Sequence, residues 1–180
     1  SGRAPLRREP TRRAEQRGSR VLGGSATEFG RDLPFGVWAD ALDAYVASQE
    51  LELGDSWNTE NARELADILP SLRPPAQILG GSVPDERYRT HRASRALLAL
   101  LARDRPLVVV LDDVHWIDAS SLVMLRQVAG NAPANVSIVA TYRDTDLDRV
   151  HPLSAVLADL RRVDGLRRIG LQGLDATAIE

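Results

Sequence analysis

The chain has 180 residues, 43% of them apolar and 27% charged, enough for one α/β domain with its own core. Its formal net charge of -2 gives no overall pull towards nucleic acid or an anionic membrane, so composition alone names no partner. With no cysteine, a disulfide scaffold, a thiolate zinc site and a cysteine nucleophile are excluded. No apolar run approaches the roughly 18 to 20 residues that cross a bilayer, and a cytoplasmic protein without membrane contact is expected.

Residues 1 to 20 carry seven arginines and read as a polar helix interrupted by Pro5 and Pro10, since an interior proline loses a backbone hydrogen bond. Val21 to Gly24 reads as a short strand running into a loop. From Leu33 to Gln49 the positions Phe35, Trp38, Leu42, Tyr45 and Val46 recur at three- and four-residue spacing, the pattern of an amphipathic helix. A second, short helix is expected over Asn61 to Leu69, stopped by Pro70, and Ser71 to Pro84 is a connector rich in proline and glycine. Asp85 to Arg103 carries the strongest helical pattern. Leu107 to Leu111 is a continuous aliphatic run, as expected of a parallel strand buried on both faces. A helix over Asp118 to Asn131 follows, with Asp118 placed to cap it. Val136 to Thr141 repeats the buried-strand pattern, Leu153 to Val163 is a further amphipathic helix, and Leu166 to Leu171 is a last, weaker strand. Strands alternating with helices of this length predict βαβ units and a mostly parallel sheet.

Ligands of an open parallel sheet sit outside the carboxyl ends of its strands. The residues there are Asp112-Asp113, after the first apolar run, and Arg143, after the second. Two carboxylates at the end of a rigid strand suit a Mg²⁺–phosphate group: Asp112 as ligand to the metal or its water, Asp113 as the group that orients an attacking water. An Asp that merely caps the next turn is the plainer alternative. For Arg143 the alternatives are a bidentate contact to a terminal phosphate or an ion pair with Asp144 or Asp146. The sites lie about thirty residues apart with one helix between them, which places them on adjacent or near-adjacent strands at one edge. His91, His115 and His151 read as isolated surface or core residues, with no metal-binding spacing. Trp116 reads as a packing anchor beneath the acidic turn rather than a stacking platform, and Phe35 and Trp38 as helix core, with an adenine pocket as the alternative that their position after the second strand keeps open.

The stretch Leu107-Val-Val-Val-Leu-Asp-Asp-Val-His-Trp-Ile-Asp118-Ala-Ser-Ser-Leu resembles the Walker B segment of STAND-type, AAA-like P-loop ATPases, the module of large LuxR-family bacterial transcription activators. Glu28-Phe-Gly-Arg-Asp-Leu-Pro-Phe-Gly-Val-Trp38, Ala140-Thr-Tyr-Arg143 and Leu171-Gln-Gly-Leu174 agree with it in order. The resemblance implies a three-layer αβα fold and a regulatory ATPase. It implies ATP or ADP and Mg²⁺ as ligands, and signalling coupled to the other domains of a parent regulator. DNA would be contacted only through a separate C-terminal domain. Residues 1–20 would then be a remnant of the P-loop helix, 21–174 the core, and 175–180 the start of a following helix.

The departure is at the front, where a complete loop reads G-x-x-x-x-G-K-[ST]. All 23 basic residues are arginine, so no such loop exists in this chain. By register Gly2-Arg3-Ala4 would occupy its last three positions, with Arg3 for lysine and Ala4 offering Mg²⁺ no hydroxyl. The first strand and most of the loop are therefore expected to be missing. A non-catalytic interaction module with a degenerate nucleotide site is the alternative.

Overall fold

The structure is a computed structural model, and it describes residues 11–48, 59–72, 86–148 and 150–171. Residues 11–16 are helical (α1), as the arginine-rich start predicts. Gly2, Arg3, the loop remnant and the expected helix start at Asp175 lie outside the described residues. After α1 come β1 (Arg20–Ser25), α2 (Gly36–Ser48), α3 (Thr59–Leu65), α4 (Glu86–Leu101), β2 (Leu107–Asp112), α5 (Ala119–Gly130), β3 (Val136–Ala140) and α6 (Pro152–Leu160).

The strands form one parallel sheet in the order β1-β2-β3. Its register aligns Gly24 with Leu111 and Ser25 with Asp112 on one side of β2, and Leu111 with Ala140 on the other. This mixed α/β architecture is that of a P-loop-type αβα fold, as predicted. Both crossovers run in the same direction across the sheet, so the right-handed rule puts their helices on one face. That face carries the core: Val109 and Leu111 of β2 cluster with Trp38 and Leu42 of α2, Leu97 and Leu98 of α4, and Leu122 and Leu125 of α5.

Gly24 lets α2 come this close. A Cβ there would stand 2.2 Å from the Val37 carbonyl oxygen and 2.8 Å from the Ala41 nitrogen. Trp38 is fully buried, and its Nε1–H donates to the Ser121 carbonyl at 3.2 Å, which ties α2 to α5. Both Phe35 and Trp38 pack with the core, in line with the helix-core reading.

Several expectations need correction. Val136 to Ala140 is a parallel strand but not a buried one: Ser137, Val139 and Ala140 are exposed, Val139 by 43%. Ser137 and Val139 align with Val108 and Val110, on the face turned away from the helices that cover Val109 and Leu111, whereas Val136 and Ile138 on the helix face are partly buried. Leu166 to Leu171 is not a strand. It makes no ladder with the sheet and is held through Arg168, which pairs with Asp144 at 2.6 Å and lies over the Tyr142 ring. The helix expected from Leu33 begins at Gly36, and the one expected up to Pro70 ends at Leu65, with a 3-10 turn over Pro70–Leu72.

Candidate functional site

The carboxyl ends of β2 and β3 are joined by side chains as well as by the ladder. The Thr141 hydroxyl donates to Asp112 Oδ1 and accepts from the Asp113 N–H at 3.1 Å. The Val114 N–H donates to the Thr141 carbonyl at 2.8 Å, and on the other side of β2 the Ala26 N–H donates to the Asp112 carbonyl at 2.9 Å. Asp112 is thus fixed from both neighbouring strands while its side chain stays partly exposed. Asp113 then turns the chain sharply with φ 55 and ψ 40, a left-handed conformation that costs a non-glycine residue energy and tends to persist where function requires it.

Asp118 closes this turn. It is buried, its Oδ1 caps α5 by accepting from the Ser121 N–H at 2.8 Å, and the same atom accepts from the Phe35 N–H at 3.2 Å. The second bond ties the loop after β1 to the acidic turn, and Phe35 is held at φ 60. Replacing Asp118 with Ala removes a cap and leaves two donors without their acceptor. We expect a loss of about 2 kcal/mol, read as a fall of roughly 4 to 8 °C in the thermal midpoint. An unchanged midpoint would show that neither bond contributes.

Arg143 lies just beyond β3, half-exposed, and its Nε stands 3.8 Å from Asp146 Oδ2, the ion-pair alternative weighed from the sequence. Asp112, Asp113 and Arg143 therefore come to one edge, as expected. Thr141, His115 and His151 join them without having been anticipated, and Asp146 joins as the ion-pair partner of Arg143. His151, far from isolated, caps α6 by accepting from the Leu153 N–H, and its Nε2 lies 3.1 Å from the His115 carbonyl oxygen. The one legible signal was Thr141, a hydroxyl at the end of the second strand run. Trp116 is partly buried beside the core, with the Arg31 guanidinium 4.2 Å from its ring centroid.

The AAA ATPase domain family model matches residues 3–139, a span from before α1 through Val139 of β3. The chain belongs to the AAA ATPase domain family. No curated protein and no solved structure matches it. As an AAA-type P-loop ATPase domain it falls in a class that uses ATP and Mg²⁺, and its acidic pair stands at the strand end where such a fold receives its ligand. Among the described residues, no helix is long and apolar enough to cross a membrane.

Proposed function

We propose that this AAA ATPase domain is the nucleotide-binding module of a STAND-type, LuxR-family cytoplasmic regulator, in which ATP or ADP sets a switch read by other domains of the parent protein. DNA contact would belong to a separate C-terminal domain. The observation that carries the reading is Asp112 and Asp113, held at the end of β2 by Thr141 with Arg143 just beyond.

The residues present fit a Mg²⁺ that arrives with its nucleotide. No group of three or more His, Asp or Glu side chains among the described residues forms a metal site of its own. Mg²⁺ commonly takes only one or two carboxylates, completing its shell with phosphate oxygens and water. Asp112 supplies one carboxylate, already oriented by the Thr141 hydroxyl. When bound, the ion would neutralise charge on the β- and γ-phosphates. Asp113 would orient the attacking water, and Arg143 would approach the terminal phosphate by leaving Asp146. Gly2 and Arg3 would contribute what this chain has of a phosphate loop.

Titration with Mg-ATP, followed by backbone amide signals, tests this. We expect shifts at Asp113, Thr141 and Arg143 with an affinity no tighter than roughly millimolar, about -4 kcal/mol, whose Mg²⁺-dependent part disappears in Asp112→Asn. No shift at high ligand concentration would favour the second reading, a non-catalytic interaction module. The absence of lysine from the sequence is the observation on that side.

A further inference from the structure

The reading above gives His115 no role, yet its ring is 2% exposed and sits where four segments meet. Nδ1 lies 3.9 Å from Asp113 Oδ1 in the acidic turn. Nε2 lies 3.2 Å from Asp146 Oδ2 in the turn after β3, and that same oxygen is the partner of Arg143 Nε at 3.8 Å. The His115 carbonyl accepts from Arg31 Nη2 at 3.5 Å and lies against His151 Nε2. Its ring packs against Trp116 with centroids 5.1 Å apart.

A buried imidazole is costly unless its polar atoms are matched. Here each nitrogen has a carboxylate as its neighbour, Asp113 on the Nδ1 side and Asp146 on the Nε2 side. Removing the ring would leave Asp113 and Asp146 without the imidazole between them; Asp146 would keep the Thr145 hydroxyl on Oδ1 at 3.1 Å and, on Oδ2, Arg143, which is 47% exposed. We infer that His115 is a positioning residue: it fixes Asp146, and through Asp146 the direction of Arg143, relative to the acidic turn. Its importance to activity rests on the roles proposed for Asp113 and Arg143, but the bridge itself does not.

The test compares two replacements that a packing role and a bridging role rank in opposite order. His115→Phe fills the space without a donor, whereas His115→Gln packs less well but keeps one. The readout is solvent exchange of the Arg143 Nε–H in the ¹⁵N-labelled full chain, its signal assigned by its loss in Arg143→Lys. We expect His115→Phe to speed exchange by about fivefold or more and His115→Gln to stay within about twofold of wild type. Wild-type exchange in His115→Phe with faster exchange in His115→Gln would overturn the inference.

Because His115 is buried, Asp146→Ala at the surface provides a second arm. It should shift the His115 ring nitrogens and speed Arg143 exchange, and no change in either would also overturn the bridge. None of these readouts needs nucleotide. Adding Mg-ATP to the same samples shows separately whether the nucleotide reading fails while the bridge stands.

Discussion

Phosphate release from Mg-ATP by the purified chain is expected to equal that of a buffer control, with Asp113→Asn and Arg143→Ala giving the same background. Phosphoryl transfer depends almost entirely on positioned positive charge and backbone donors around the β- and γ-phosphates. Removing one such donor from an acyl-transfer site costs a factor of roughly 10² to 10³ in rate, and several losses together leave little to detect. This chain has no lysine, and the groups around the acidic turn are dominated by Asp112, Asp113, Asp144 and Asp146, which repel a polyphosphate. Arg143 is already engaged by Asp146. An arginine at the lysine position of the loop keeps the charge but not the compact point geometry. Steady-state phosphate release decides the matter. Turnover above background that both substitutions abolish would mean that the site is complete, and the interaction-module reading would fall.

Gly24→Ala is expected to destabilise the fold by about 3 kcal/mol or more, at the upper end of what overpacking costs. The added methyl has no flexible side chain to push aside: its two nearest neighbours, the Val37 oxygen and the Ala41 nitrogen, are backbone atoms of α2, and the third is the Ala41 Cβ at 3.2 Å. The helix would have to lift from the sheet, and with it Trp38, Leu42 and Val46, all buried. Gly130→Ala is the control: a Cβ there meets nothing within 4 Å, and the thermal midpoint should move by no more than about 2 to 4 °C, the equivalent of 1 kcal/mol. Equal midpoints for the two variants would show that α2 does not need the close approach.

The parts of this site that were legible in the sequence are those that local pattern determines. An aliphatic run with no alternation identified β2 as a parallel strand, and a single intervening helix made β3 its neighbour. Together these brought Asp112, Asp113 and Arg143 to one edge. Asp118 was legible as a cap because it stands directly before α5, but its second bond, to Phe35 across 83 positions, was not. The bridge through His115 was hidden for the same reason, since Asp113, His115 and Asp146 meet only once the turn after β3 folds back. The exposure of β3 depends on which face of the sheet the helices cover, something no stretch of five residues encodes. Leu166 to Leu171 had strand-like composition but makes no ladder with β3, and composition alone does not make a ladder.

The far side of β3 also bears on how the protein behaves in solution. A valine- and isoleucine-bearing strand that pairs with β2 on one edge and with no described strand on the other is a template on which extended polypeptide can add. Val139 is exposed on one face of this strand, and no proline or charged residue within Val136–Ala140 blunts the edge. Self-association through this template would raise the associated fraction as protein concentration rises, and a charge introduced at Val139 would be a direct way to keep the chain monomeric in storage.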